Sequence, residues 1–286
     1  MGEWVEIFEV GPRDGLQNEA RKIPAREKIA LIDLLSEAGF GRIEVASFVS
    51  PKRVPQMADG AEVLAGIRRA AGVSYAALVP NMQGFDRAMD AGADEVAIFA
   101  SASEGFSRAN LNCSISESLE RFQAVSEAAE AANVKLRGYV SCVTDCPYDG
   151  PTAPGQVAEV ADALFAMGCY EISLGDTIGR GTPERVAAML DAVTGTVPSD
   201  RLAGHFHDTD GHALDNIEAA LAAGLRVFDA AVGGLGGCPF APGAAGNVAT
   251  EAVAARLEAL GYETGLDREV LARAAAMARA MREGAV

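Results

Sequence analysis

All three histidines of the chain fall within eight residues, "HFHDTDGH" from His205 to His212, among two aspartates, Asp208 and Asp210. His205 and His207 are two apart, so on a β-strand both imidazoles point to the same face. Such a pair suits a divalent cation if other donors join it. A second stretch, "GPRDG", sets Arg13 beside Asp14 between Gly11 and Gly15. A third, "GGLGGCPFAPGAAGN", spans residues 233–247, carries Cys238 and ends on Asn247. Imidazole, carboxylate and amide oxygen make a mixed nitrogen and oxygen set that favours Mg²⁺ or Mn²⁺ over a structural zinc. Asp14, His205, His207 and Asn247 are thus the candidate metal ligands, provided one fold gathers them. Asp208 is expected to orient an imidazole from behind and Asp210 to cap the next helix.

Other positions carry acid–base chemistry. Glu44 in "RIEVASF" is ionisable in a run otherwise apolar at its centre, so its burial requires a partner such as Arg13. Arg13 itself, flanked by glycines, reads as a catalytic cation. Asp176 in "SLGDTIG" suits a helix N-cap or a site acid or base. Cys238 stands in a long glycine-rich loop of the kind that closes over a substrate, and a thiol tuned towards neutral pH exchanges protons. Cys142 and Cys146 read as structural.

These residues have to be positioned by regular elements. Short β-rich runs alternate with longer amphipathic ones along the whole chain, the pattern of repeated βα units. Strands are expected at 5–10, 42–47, 73–79, 95–100, 135–142, 170–174, 202–207 and 227–232, and helices at 25–38, 116–132, 155–167, 183–193 and 214–223 among others. Glycine closes the helix-to-strand joints in "EAGF", "DAGADEV", "AMGCYEI" and "AAGLRVF", as a left-handed C-cap does. Ser114 and Thr182 offer hydroxyl caps. Eight such units imply a (β/α)₈ TIM barrel forming a single catalytic domain over residues 1–286, with an additional C-terminal helix at 267–282. An open doubly wound sheet fits less well, because no G-x-G-x-x-G follows the first strand. In a barrel the strand ends named above share one mouth.

Composition narrows the function classes. With 49% hydrophobic and 22% charged residues the chain is globular, and its net charge of −16 argues against a nucleic-acid partner. A phosphate-bearing ligand would then need local cations, for which Lys22, Lys52 and Arg53 are the candidates. No run is apolar enough to cross a bilayer and the first residues lack a secretory pattern, so no membrane association and a cytoplasmic location are expected. Five cysteines without paired spacing suit a reducing compartment.

The chain resembles the 3-hydroxy-3-methylglutaryl-CoA lyase family of metal-dependent barrel lyases. "EVGPRDGLQNE", "SFVSPKRVPQM", "RGYVSC", "CPYDG", "MGCYEISLGDTIGRGTP", "HFHDT", "GGLGGCPFAPGAAGN" and "LGYETG" stand in the family's order and cover nearly the whole chain. The resemblance implies retro-Claisen cleavage of an acyl-CoA thioester to acetoacetate and acetyl-CoA, within leucine catabolism and ketone-body metabolism, by a homo-oligomer. It implies Asp14, His205, His207 and Asn247 as metal ligands, Arg13 as the enolate-stabilising cation, Glu44 and Asp176 as catalytic carboxylates and Cys238 as the loop thiol, with His205 serving catalysis too. Where the family has Tyr-Gly-Gln after "HDT", this chain has Asp210, Gly211 and His212, a departure that bears on the acyl group. Alternatives are a related 3-hydroxy-3-alkylglutaryl-CoA, such as the isohexenyl homologue, or citramalyl-CoA as substrate, and a Claisen-type acyl-CoA synthase.

Overall fold

In a computed structural model, which describes residues 2–238 and 241–284 and only the backbone of 237–238 and 241–245, eight parallel strands close into a barrel. They are β1 (Glu6–Glu9), β2 (Arg42–Ser47), β3 (Ser74–Leu78), β4 (Glu95–Ser101), β5 (Lys135–Ser141), β6 (Glu171–Asp176), β7 (Leu202–Phe206) and β8 (Val227–Ala230). The ring is sealed by β8 pairing with β1, Glu6 opposite Val227 and Glu9 opposite Ala230. The fold is the expected TIM barrel, with strand ends within two residues of those read from the sequence.

Among the described residues, ten α-helices surround or follow the strands: α1 (Ala25–Ser36), α2 (Gly60–Gly66), α3 (Met82–Asp90), α4 (Glu104–Leu111), α5 (Ile115–Ala131), α6 (Pro154–Ala166), α7 (Pro183–Val193), α8 (Ala213–Ala222), α9 (Thr250–Ala259) and α10 (Arg268–Glu283). The two helices over a simple βα count are α4, a short element at the barrel mouth, and the expected C-terminal helix α10. Ser114 caps α5 in a reciprocal box with Glu117, and the joint glycines Gly39, Gly92, Gly168 and Gly224 all have positive φ. Thr182 stands at the N-cap of α7 without a side-chain cap bond; Pro183 fixes the first turn instead. No helix among the described residues is long and apolar enough to cross a membrane.

The strands carry two different faces. Ile7, Ile43, Val96, Ile98, Ile172 and Leu174 belong to the apolar layer shared with the helices. The other face is a charged ladder inside the barrel. Arg42 bridges Glu6 and Glu171, and Arg137 bridges Glu171 and Asp229. Both guanidinium groups also lie over the Phe8 ring, 4.8 and 4.5 Å from its centroid. A buried charge is tolerable when it is paired and fully hydrogen-bonded. This floor is therefore rigid, and the reactive groups stand on it.

Candidate active site

The C-terminal end of β7 delivers both histidines. His205 is its penultimate residue, in register with Gly175 of β6 and Asp229 of β8. His207 follows directly and pairs as an isolated antiparallel bridge with Asn247. Asp208 N–H donates to the Gly246 carbonyl at 2.8 Å and Val248 N–H to the Phe206 carbonyl at 3.2 Å, so residues 246–248 are stitched onto the end of β7, and Ala249 bridges to Ala231 after β8. After β1 the chain tightens into a π-turn, Gly11–Gly15, in which the N–H groups of Asp14 and Gly15 share the Val10 carbonyl. Glu9 locks these segments together: its Oε1 accepts from Gly11 and Val232 N–H at 2.8 and 2.9 Å, and its Oε2 from Thr250 Oγ1 at 2.7 Å. Burial pushes the Glu9 carboxyl up to about 7 despite those donors.

Asp14, His205 and His207 each offer a ligand atom within 4.8 Å of the others, the metal-sized cluster found among the described residues. The two Nε2 atoms are 3.3 Å apart, and His205 Nε2 lies 3.9 Å from Asp14 Oδ2. Asn247 Nδ2 donates to the same Oδ2 at 2.8 Å, which brings the fourth expected ligand to the cluster. Burial alone would raise the Asp14 carboxyl, but Arg13 and the two imidazoles outweigh it and hold it at about 2. Burial and the neighbouring His205 push His207 down to about 4. An anionic carboxylate and a neutral imidazole are the protonation states that a cation requires, so the donor set fits a divalent metal.

The group behind His205 is Asp229, not Asp208. Its Oδ2 lies 3.1 Å from His205 Nδ1, and it also receives Arg137 at 2.8 and 3.0 Å and Ser173 Oγ at 2.7 Å. Burial opposes charge on His205, yet the Asp229 carboxylate raises its pKa. By accepting a hydrogen bond from Nδ1–H, Asp229 fixes the tautomer that leaves the Nε2 lone pair facing the cluster. Asp208 instead caps α8 by accepting from Ala213 N–H at 3.1 Å, the task expected of Asp210. Asp210 is exposed at the turn before it. The reason is reach: the chain folds back at Gly211, with positive φ, so Asp208 rather than Asp210 faces the helix start. Neither Asp210 nor His212 lines the cavity described below, so the departure from the family pattern lies outside it.

Arg13 is buried as expected against Glu44, its Nε 2.5 Å from Oε2, while its Nη1 reaches Asp14 Oδ1 at 2.6 Å. Tyr139 OH donates to the same Glu44 oxygen at 3.2 Å, and its ring lies under Arg13 with 5.5 Å from guanidinium carbon to centroid. Burial raises the Glu44 pKa against the pull of Arg13, and its Oε1 is buried without a hydrogen-bond partner.

A cavity of about 360 Å³ opens over these groups. Arg13, Asp14, His205 and His207 line it, and so do Leu78, Phe99 and Tyr139, which belong to one small apolar cluster. Arg53 lies at its rim, held by the Asn110 carbonyl at 2.9 Å. Lys22 and Lys52 do not line it. Gln56 clamps the main chain on both sides of Lys22, leaving that side chain in solvent, and Lys52 is exposed in the turn that brings Arg53 to the rim. Asp176 does not line the cavity either, although its neighbours Gly175 and Thr177 do. Side chains alternate along a strand, so Asp176 faces away; it binds Thr144 Oγ1 at 2.7 Å and Gly181 N–H at 2.8 Å, anchoring two loops. Cys142 and Cys146 are buried with Phe106 as a small structural cluster. The Cys238 side chain lies outside the described residues; its backbone pairs with Ala241.

Sequence reasoning missed Asp229, Arg137, Tyr139 and Glu9. The available signal was the one that exposed Glu44, an ionisable residue inside a strand with an otherwise apolar pattern.

A family model described as HMGL-like matches residues 4–278. The chain is 59% identical over 267 residues to a 3-hydroxy-3-isohexenylglutaryl-CoA/hydroxy-methylglutaryl-CoA lyase of Pseudomonas aeruginosa, covering 93% of this chain and 89% of that one. A crystal structure of an HMG-CoA lyase from Brucella melitensis superposes with a TM-score of 0.97 at 61% identity, over 98% of this chain and 99% of the other. An Acinetobacter baumannii HMG-CoA lyase solved with coenzyme A and 3-methylmalate matches with a TM-score of 0.93 at 38% identity, over 98% and 92%.

Proposed function

The chain belongs to the HMGL-like family, and from that membership we propose that it is a metal-dependent carbon–carbon lyase cleaving 3-hydroxy-3-methylglutaryl-CoA to acetoacetate and acetyl-CoA. The observation that carries the reading is the convergence of Asp14, His205 and His207 with Arg13 at one barrel mouth. Asp14, His205, His207 and Asn247 would hold Mg²⁺ or Mn²⁺. When bound, the cation supplies a Lewis acid towards the hydroxyl and carboxylate oxygens of the acyl group, lowering the hydroxyl pKa.

The chain's own residues do the rest. The C3 hydroxyl passes its proton to a general base at the cavity, the electron pair left on oxygen becomes the ketone C=O of acetoacetate, and the C2–C3 pair moves onto the thioester as an enolate. Arg13, fixed by Glu44, meets the negative charge on the thioester oxygen with a planar, preorganised donor. Glu44 thereby acts by orienting Arg13, and Asp176 by holding the loop that brings Thr177 to the cavity. Cys238 then donates a proton to C2, giving acetyl-CoA. Arg53 is placed to meet the polyanionic CoA moiety, which a net charge of −16 otherwise repels. The four buried free thiols suit a reducing, cytoplasmic setting.

A second reading is favoured by Leu78, Phe99 and Tyr139, which give the cavity an apolar part to its lining. It suits a longer 3-alkyl substituent such as isohexenyl. Incubating the purified protein with 3-hydroxy-3-methylglutaryl-CoA, its isohexenyl homologue and citramalyl-CoA, with product identification, tests both readings. Cleavage of the methyl compound is expected; inertness towards all three would refute the lyase assignment.

A further inference from the structure

Helix α10 lies outside the barrel and contributes no side chain to the cavity. It nevertheless reaches the metal cluster through one relay. Arg282 in its last turn contacts Glu19 Oε1 through Nε at 3.0 Å and through Nη2 at 2.9 Å, and Nη2 also donates to the Gly234 carbonyl at 2.7 Å. Glu19, whose side chain is only 9% exposed, accepts from Gly236 N–H at 3.1 Å with the same oxygen. Gly236 has φ +106°, which excludes side chains, and a Cβ there would stand 3.1 Å from Asn247 Nδ2 and 3.3 Å from Gly15 Cα. Its main chain therefore sits against the Asn247 amide on one side and the turn carrying Asp14 on the other. Those two groups are themselves joined by the 2.8 Å bond from Asn247 to Asp14.

We propose that Glu19 and Arg282 are positioning residues that seat Gly236 against Asn247 and Asp14 and so set the affinity of the site for its divalent cation. The C-terminal helix is on this reading part of the catalytic apparatus. The inference rests on the metal assignment made for Asp14, His205, His207 and Asn247. The physical basis is that Asn247 reaches the cluster from a segment whose described bonds to the barrel lie at residues 246–250, while the glycines before it have little conformational preference of their own. Among the described residues, Glu19 is the acceptor that fixes the Gly236 N–H; without it, ordering the site falls to the cation, which weakens its apparent binding.

The test uses the full-length chain freed of metal, with Mn²⁺ as the probe. Mn²⁺ affinity, melting temperature without metal, and kcat at limiting and saturating Mn²⁺ are measured for wild type, Arg282→Met, Arg282→Lys, Glu19→Gln and Arg268→Met. Arg268, at the start of the same helix, pairs with Glu258 of α9 at 2.5 Å and serves as the control. Arg282→Met is expected to weaken Mn²⁺ about 10-fold, the lower end of the effect of groups that orient ligands. Its metal-free melting temperature should stay close to wild type, since Arg282 is 41% exposed and Glu19 keeps the Gly236 N–H bond without it. Its kcat should recover at saturating Mn²⁺, Arg282→Lys should restore part of the affinity, and Arg268→Met should change none of it. Wild-type Mn²⁺ affinity in both Arg282→Met and Glu19→Gln would overturn the inference while leaving the metal site intact. So would a loss of affinity accompanied by a matching loss of metal-free stability. A wild-type chain that binds no Mn²⁺ would overturn the metal assignment itself.

Discussion

At the scale of single residues, the contrast between His205 and His207 is instructive, because two identical side chains on one strand face have different supports. His205 is held by Asp229, itself saturated by Arg137 and Ser173, so its tautomer and ring plane are set before any ligand arrives. Asp229→Asn is expected to weaken Mn²⁺ binding about 10- to 100-fold, read by titration of the metal-free protein. Arg13→Lys addresses the other half of the chemistry. An ammonium cannot keep both the Glu44 and Asp14 contacts and still present a planar face to an enolate oxygen. Turnover should fall a few hundredfold or more, about 3–4 kcal/mol of transition-state stabilisation, with a much smaller change in KM. Steady-state kinetics decide; a change confined to KM would make Arg13 a binding residue.

At the scale of elements, the loops that carry the site are held by backbone geometry as much as by side chains. Gly179 has φ +65°, and a Cβ there would lie 2.7 Å from Thr209 Oγ1 and 2.9 Å from the His207 carbonyl. Gly211, at φ +80°, has nothing within 4 Å of its Cβ position. Gly179→Ala should therefore displace the end of β7 and weaken Mn²⁺ binding, while Gly211→Ala carries only the left-handed strain of about 1 kcal/mol and keeps wild-type affinity. Equal effects on metal binding from the two substitutions would show that contact with His207 is irrelevant. Far from the mouth, Ser114→Ala breaks the capping box of α5 and should cost about 1 kcal/mol of stability with unchanged turnover.

At the scale of the whole molecule, metal binding and folding are one equilibrium, because the four proposed ligands come from β7 and from the segments after β1 and β8. Mn²⁺ at a hundred times its Kd should stabilise the fold by about 2.7 kcal/mol and raise the melting temperature by about 4–5 °C, while exhaustive chelation should abolish turnover reversibly. Glu9 adds a pH term. Its carboxyl is raised from 4.5 to about 7 by burial, so the folded state holds the proton more tightly than the unfolded chain. Stability from this group is complete below about pH 4.5 and is lost as pH rises towards 7. Glu9→Gln should remove up to about 3 kcal/mol of that dependence, measured by denaturant unfolding from pH 4.5 to 7.5. An unaltered slope would mean that the three donors to Glu9 keep it ionised throughout.

The barrel itself was legible in the sequence because it is written in local signals: the two-residue alternation of the strands, the glycine caps at Gly39, Gly92, Gly168 and Gly224, and eight repeats of one unit. The placement of Asp14, His205, His207 and Asn247 followed from those strand ends, since a barrel gathers them at one mouth. Glu44 announced its partner because a lone charge in an apolar run must be neutralised. Other assignments turned on which way a side chain points and on what lies across the barrel, and neither is a local property. Asp176 is one residue out of phase with its cavity-lining neighbours, so strand alternation turns it to the loops. Asp229 and Arg137, 92 positions apart, become the support of His205 only when β5 and β8 face each other across the closed sheet. Lys22 and Lys52 carry the right charge for a phosphate, but Gln56 and the turn at Arg53 turn them away from the rim. A sequence specifies elements through contacts between near neighbours; the assignment of a charge to a partner across the barrel needs the closed ring, because only there do residues from separate repeats come within hydrogen-bond reach.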